Sequence, residues 1–323
     1  MARRKAPSDI QKFGDILYPK EALEPILAKP VRSALTYWLT EIWAEDELRE
    51  VGIGPRRRAM FTGAPGVGKT TLAHHLAARL GLPMVAVRPE RLIDSYMGST
   101  ARNIGGLFEA AGKAGDVLLF LDEFEAYAEQ RRRPKSGAED ERNSYVNTLL
   151  QRLEQYDGFI IAATNFGAHV DPAVWRRFDI HIDLELPGPF ERRQILARYL
   201  QPFGLPGQEL EGLVEAFETA TPALIRQFCE GLKRILVIGP RLNFDMRPEK
   251  VIDLIVASVK PHPDVGHPRL WNLGGRDKAI AAMTWPLPKA EDVVNDVVRQ
   301  SRPSNVVMIE GSKHGGNGLA DGS

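Results

Sequence analysis

Apolar positions along the first part of the chain fall into two alternating patterns. Ala59–Phe61, Met84–Val87, Val117–Leu121 and Phe159–Ala163 are short continuous runs of strand length, and Ile180–Leu186 reads as a further strand. Between them apolar residues recur at helical spacing: Leu72, Ala73, Leu76, Ala77 and Leu80, then Leu107–Ala114, then Val146, Leu149, Leu150 and Leu153. Val117–Leu121 is the clearest strand, because an uninterrupted apolar run fits the middle of a parallel sheet covered on both faces. Upstream, order begins at Phe13–Leu17 and continues as helical pattern through Glu21–Leu27 and Val31–Trp43. Downstream of Pro187 the strand pattern stops, and Phe190–Phe203, Gln208–Thr219, Thr221–Leu236 and Pro248–Val259 all read as helices. This predicts an α/β fold with a parallel sheet flanked by helices over residues 13–186, followed by a smaller all-helical domain over 187–260. Residues 1–12 read as a flexible arm. Residues 261–323 read as an extension with an amphipathic candidate at Ala290–Val298 and a tail disordered on composition.

The densest chemistry lies between the Ala59–Phe61 run and the helix after it. Gly63-Ala64-Pro65-Gly66-Val67-Gly68-Lys69-Thr70 has the G-x-x-x-x-G-K-[ST] spacing of a phosphate-binding P-loop, in the strand-then-helix context such a loop needs. Small residues let successive backbone N–H groups turn inward around phosphate oxygens, and the following helix offers its positive N-terminal end to the same anion. In that arrangement Lys69 reaches the β- and γ-phosphates, the Thr70 hydroxyl holds Mg²⁺, and Thr71 stands beside them in the nucleotide site.

Two further strand ends add to this loop. Val117–Leu121 runs into Asp122-Glu123. A carboxylate ending a strand next to the P-loop strand can orient the waters on Mg²⁺, the role assigned to Asp122, and Glu123 is then placed to polarise the attacking water. Phosphoryl transfer asks chiefly for positioning and charge neutralisation, so one metal-orienting and one water-orienting acid suffice. Phe159–Ala163 ends at Thr164-Asn165, where Asn165 can hydrogen-bond that water, although Thr-Asn also begins ordinary turns. Asp171–Asp179 reads as a short helix capped by Asp171, with Pro172 at its first position and Arg176 and Arg177 at its end. Arginines here either serve developing phosphate charge across a subunit boundary or pair with Asp179 or Asp183 on the surface.

Composition narrows the partners. The 323 residues suffice for about two domains with a sizeable core. Lys plus Arg and Asp plus Glu both total 42, and a formal charge of zero argues against a broadly basic nucleic-acid binder. Arg56-Arg57-Arg58 reads as a solvated face rather than a phosphate contact. Lone Cys229 excludes an internal disulfide and fits an inert core residue in a reducing compartment. No run approaches the roughly 18 apolar residues of a membrane span, and no apolar signal region follows the basic start, so a cytoplasmic location without membrane contact is expected. His74 and His75 read as helix-surface groups, and Arg131–Arg142 as a charged loop.

In this order the motifs resemble those of the AAA clade of the AAA+ ATPases, over roughly residues 13–260. Gly63–Thr70 matches the family's Walker A motif, Leu118–Glu123 its Walker B motif, Asn165 its sensor-1 asparagine, and Arg177-Phe178-Asp179 the end of its arginine-finger segment. The resemblance implies Mg²⁺-dependent ATP hydrolysis in a ring of identical subunits, usually a hexamer, with Arg176 and Arg177 serving the adjoining subunit's site. It implies a helical lid over the nucleotide and places Asp15-Ile16 beside the adenine. Arg226 is either a sensor-2 arginine touching the γ-phosphate or a surface residue. Tyr96-Met97-Gly98 stands where ring unfoldases carry an aromatic-hydrophobic-glycine pore loop, whose ring grips an extended polypeptide through contact area.

Departures from the family pattern are local. The finger segment is shorter than usual, which leaves both Arg176 and Arg177 open, and Thr221-Pro222-Ala223-Leu224 replaces the usual lid opening. Ser99 and Thr100 stand where acidic residues commonly follow the pore glycine. The expectation is an ATPase ring that remodels or threads a protein client. A nucleic-acid motor or loader is a rival that neutral charge and Tyr96-Met97-Gly98 speak against. A nucleotide-controlled scaffold that activates a partner enzyme is another.

Overall fold

The computed structural model describes residues 9–94, 96, 98–131, 137–281 and 283–292. One sheet holds β1 (Gly14–Leu17), β2 (Arg58–Thr62), β3 (Met84–Val87), β4 (Leu118–Leu121), β5 (Phe159–Thr164) and β6 (Ile180–Asp183), in the order β1-β3-β4-β5-β2-β6. β1 lies antiparallel to β3 at one edge, and every other pair is parallel.

The pleat explains why the strand sequences are continuously apolar. Leu118 and Phe120 of β4 and Ile161 and Ala163 of β5 join a core with Trp38 of the Lys29–Trp43 helix and Leu72 and Leu76 of the Lys69–Arg79 helix. Leu119, Leu121, Ile160 and Ala162 point to the other face, against Leu107 of the Ser99–Ala114 helix and Leu149 and Leu153 of the Gly137–Gln155 helix. Side chains alternate across a strand, so a sheet covered on both faces needs apolar residues at every position. Truncating Phe120, which is fully buried, would cost about 3–5 kcal/mol by cavity formation.

Several expectations are corrected by this arrangement. Asp122 does not end a strand adjacent to the P-loop strand: β5 lies between β2 and β4. Strand order is set by how far each crossover travels, which local patterning does not record. The predicted Glu21–Leu27 helix is absent; only a 3₁₀ turn at Pro19–Glu21 precedes the helix starting at Lys29. Pro25 removes an amide donor and disfavours the helical conformation of Glu24. Ile10, assigned to the arm, is fully buried in the core, and its carbonyl accepts the Phe13 N–H. The charged stretch 131–142 contains the start of the Gly137–Gln155 helix. Arg56 is partly exposed but paired, its guanidinium gripping both oxygens of Glu41.

The second domain packs the helices Pro189–Leu200, Gly207–Ala216, Pro222–Ile238, Pro248–Ser258 and Leu273–Ala281 around Leu196, Phe217, Phe228 and Ile252. The last of these helices was not legible, because Gly274 and Gly275 dilute its short apolar face. Leu270, Ile280, Met283 and Leu287 belong to the same core, so packing continues past residue 260. Of the Ala290–Val298 candidate, Ala290–Asp292 forms a 3₁₀ turn and the rest lies outside the described residues. No helix among the described residues is long and apolar enough to cross a membrane.

Candidate active site

Three parallel strands end on the same side of the sheet, and each delivers part of the site. β2 leads into the P-loop, β4 into Asp122-Glu123 and β5 into Asn165. A crevice beyond the carboxyl ends of parallel strands is the usual ligand position in such sheets.

The P-loop backbone is shaped as a cradle. Gly63 has φ +145°, and a Cβ there would lie 2.3 Å from the Leu184 carbonyl oxygen, so no other residue fits. Gly66 and Gly68 also adopt positive φ, and the helix begins at Lys69. Around the loop is a cleft of about 330 Å³ lined by Pro65, Gly66, Gly68, Lys69, Thr70, Thr71, Asp122, Glu123 and Asn165 from the α/β domain. Residues 64 and 67 close the loop from behind, the Val67 N–H donating to Ala64 O. Most predicted nucleotide residues therefore line one cleft; Gly63, Ala64 and Val67 belong to the loop without lining it, and Asp15 and Ile16 do not line it either.

Lys69 is buried and donates to the carbonyls of Gly63 (2.6 Å) and Ala64 (3.1 Å) and to Asn165 Oδ1 (2.7 Å). Burial pushes its pKa below the ordinary lysine value, while the Asp122 and Glu125 carboxylates oppose that shift. The Thr70 hydroxyl donates to Asp122 Oδ2 at 3.3 Å. These are the hard oxygen donors that Mg²⁺ prefers. The backbone of Asp122 is held by Tyr127, whose buried hydroxyl donates to its carbonyl at 2.9 Å.

Glu123 follows in a left-handed conformation, φ +46°, uncommon for a residue with a side chain. Its N–H donates to Asp122 Oδ1 (3.0 Å), and the Phe124 N–H donates to Ala163 O (2.8 Å). The chain thus turns away from β4 with the Glu123 side chain exposed at the cleft. Strain of this kind persists only where surrounding bonds over-determine the conformation.

The helical domain roofs the cleft. Thr221 caps the Pro222–Ile238 helix by accepting the Leu224 N–H, and Ala223 N–H donates to Gly66 O at 3.2 Å. Pro222, Ala223 and Arg226 line the cleft from this side. Arg226 lies 3.8 Å from Glu230 and is otherwise half-exposed. Tyr199, from the Pro189–Leu200 helix, also lines it and was missed by sequence reasoning; its helical spacing gave no cue beyond an ordinary amphipathic position.

Asp15 is engaged elsewhere, its carboxylate paired with Arg88 and Arg91 across the β1 edge. Neither it nor Ile16 lines the cleft. His74, expected on the helix surface, is buried, and its Nε2 lies 2.9 Å from Tyr18 O, which ties the end of β1 to the P-loop helix.

Arg176 and Arg177 differ. Arg177 Nε donates to Glu154 Oε1 at 2.8 Å, whereas the exposed Arg176 guanidinium makes no hydrogen bond or ion pair among the described residues. Tyr96 is 77% exposed, and Gly98, φ +76°, precedes the Ser99–Ala114 helix while its N–H donates to Glu141 Oε1 at 3.0 Å. Met97 lies outside the described residues. Thr100 is buried and closes the loop by accepting the Asp94 N–H.

A family model described as "ATPase family associated with various cellular activities (AAA)" matches residues 59–186, the stretch carrying the P-loop, both acids, Asn165 and the two arginines. Over these residues the chain is similar to the AAA ATPases. It is 48% identical over 136 residues to an uncharacterized AAA family ATPase of Sinorhizobium fredii, covering 42% of this chain and 40% of that protein. It is 35% identical over 178 residues to an ATP-dependent zinc metalloprotease FtsH of Sphaerobacter thermophilus, covering 52% and 35%. With a proteasome-activating nucleotidase of Pyrococcus horikoshii it shares 36% identity over 183 residues, covering 54% and 45%. The chain thus spans less than half the length of each of these relatives.

Proposed function

We propose that this chain hydrolyses ATP with Mg²⁺, assembles with copies of itself into a ring, and uses turnover to remodel or thread protein clients in the cytoplasm. The observation that carries the reading is the convergence of the P-loop, Asp122-Glu123 and Asn165 beyond the carboxyl ends of β2, β4 and β5, beneath a helical lid. Bound ATP supplies the phosphoryl group, and Mg²⁺ supplies the charge that neutralises its oxygens. The P-loop amides and Lys69 would hold the phosphates, and Thr70 and Asp122 would hold the metal. Glu123 polarises the attacking water, Asn165 orients it, and the lid excludes bulk solvent. Arg176 serves a neighbouring subunit's site. The protein client is supported by exposed Tyr96 and by relatives named as an ATP-dependent metalloprotease and a proteasome-activating nucleotidase.

The test compares Glu123→Gln with Lys69→Ala. Glu123→Gln keeps ATP affinity and loses turnover by about 10²–10⁴-fold, the range for a positioned base. Lys69→Ala loses binding itself. Normal turnover by Glu123→Gln removes that base assignment, and a wild-type protein without ATPase activity removes the reading altogether.

A further inference from the structure

The segment after Glu123 is stitched to the segment that carries Arg176. Asp171 N–H donates to Ala128 O (2.7 Å), Gln130 N–H to His169 O (3.1 Å), and Gln130 Nε2 to Ala168 O (2.8 Å), with Glu129 opposite Val170 in an antiparallel bridge. Arg131 closes this seam. Its backbone N–H and Nε donate to Asp171 Oδ2 (3.2 and 2.9 Å), its Nη2 donates to Asp171 Oδ1 (3.3 Å), and its Nη1 donates to Asn147 Oδ1 (3.0 Å).

The Asp171 carboxylate is only 5% exposed and works in both directions. Towards Arg131 it is gripped by a planar fork. Towards the chain ahead, its Oδ1 accepts the Ala173 N–H (2.9 Å) and so fixes the start of Pro172–Trp175, the four-residue helix that ends at Arg176. A helix this short does not hold itself, because nucleation is unfavourable and few bonds repay it. Val174 and Phe178, two residues before and after Arg176 in the chain, are buried and keep the segment in the fold. The backbone carrying Arg176 hangs from the first turn, the Trp175 N–H donating to Asp171 O (2.9 Å) and the Arg176 N–H to Pro172 O (3.3 Å), and that turn is held by Asp171 and, through it, by Arg131.

We propose that Arg131 is a positioning residue for the finger Arg176, and therefore governs turnover at the neighbouring subunit's ATP site rather than nucleotide binding at its own. The inference rests on the ring reading above. A finger acts through placement: an error near 1 Å can cost about 10²-fold in rate. Lysine cannot replace the fork, because an ammonium is a point charge and cannot reproduce the paired guanidinium contacts.

The experiment measures ATP affinity, turnover and melting temperature for Arg131→Ala, Arg131→Lys, Arg176→Ala and Lys69→Ala, alone and in mixtures. Arg131→Ala is expected to keep ATP affinity and lose turnover by about 10²-fold. Arg131→Lys keeps the charge, is the variant of choice if Arg131→Ala folds poorly, and is expected to stay low as well. Mixing either with Lys69→Ala, which retains Arg131 and Arg176, restores turnover, as it does for Arg176→Ala. Mixing with Arg176→Ala does not.

Wild-type turnover by both Arg131 variants overturns the proposal. So does a loss that Lys69→Ala fails to rescue while it rescues Arg176→Ala, since the defect then lies in the variant's own site or its fold. Full turnover by Arg176→Ala instead removes Arg176 as the finger, and the inference with it.

Discussion

The Lys69 ammonium lies 2.7 Å from the Asn165 side-chain oxygen, a bond between the P-loop and the end of β5. It exists because β5 lies between β2 and β4, so Asn165 reaches both the phosphate loop and the acids. Asn165→Asp would replace a neutral acceptor by a carboxylate at the same distance. Charge-assisted hydrogen bonds contribute about 1.5–3 kcal/mol, and each 1.4 kcal/mol is tenfold in affinity. Lys69 would be held by the new carboxylate, and ATP affinity is expected to fall about tenfold or more, read by titration with a fluorescent ATP analogue. Unchanged affinity would show that Lys69 leaves this partner without cost.

Arg176 and Arg177 make opposite predictions. Arg177 already has a partner in Glu154, and both side chains are largely solvated, so Arg177→Ala should cost no more than about 1 kcal/mol of stability and leave turnover within a few-fold. Arg176 is exposed and unpaired among the described residues, and Arg176→Ala should lower turnover by roughly a thousandfold with stability unchanged. Steady-state ATPase assays with thermal melts decide the matter. The reverse result would make Arg177 the finger and Glu154 its resting partner.

What the sequence disclosed of this site was whatever is local in the chain. Gly63–Thr70 is contiguous, and its glycines are needed for reasons internal to the loop, as the Leu184 carbonyl 2.3 Å from any Cβ at Gly63 shows. Asp122 and Asn165 were visible because each terminates an uninterrupted apolar run. Strand order was not visible, so Asp122 was placed one strand too close to the P-loop. Tyr199 and the Arg131–Asp171 pair were not visible either, since each acquires its meaning from a partner far along the chain. His74 misled for a related reason: its polarity fits a helix surface, but Tyr18 O satisfies it in the interior.

Cys229 should be chemically silent in the folded protein. It is fully buried among Phe228, Leu232 and Ile225, and burial pushes its thiol up to about 12. The thiolate is the reactive form, so a raised value leaves almost none of it at pH 8. A disulfide reagent such as dithionitrobenzoate should label well under a tenth of the native protein at pH 8, where a free thiol near 8.5 reacts readily. Full labelling is expected only in denaturant. Rapid native labelling would mean that the helical domain opens on the timescale of the assay.

Tyr96 separates turnover from work on a client. The ring is 77% exposed, and the loop is closed beneath it by the Asp94 N–H donating to buried Thr100 and the Gly98 N–H donating to Glu141. Those bonds do not involve the tyrosine ring, so Tyr96→Ala should leave the loop and the ATP cleft intact, with ATPase activity within about twofold of wild type; surface substitutions away from special features usually stay within about 0.5 kcal/mol. Glu141 belongs to the Gly137–Gln155 helix, which also carries Asn147 and Glu154, the partners of Arg131 and Arg177. Force on the loop would therefore be felt by the helix that contacts the finger segment. If the chain threads protein, Tyr96→Ala should abolish ATP-dependent unfolding of a tagged fluorescent substrate, and Tyr96→Phe, which keeps the contact area, should retain it. If it only activates a partner through its nucleotide state, all three proteins should activate equally.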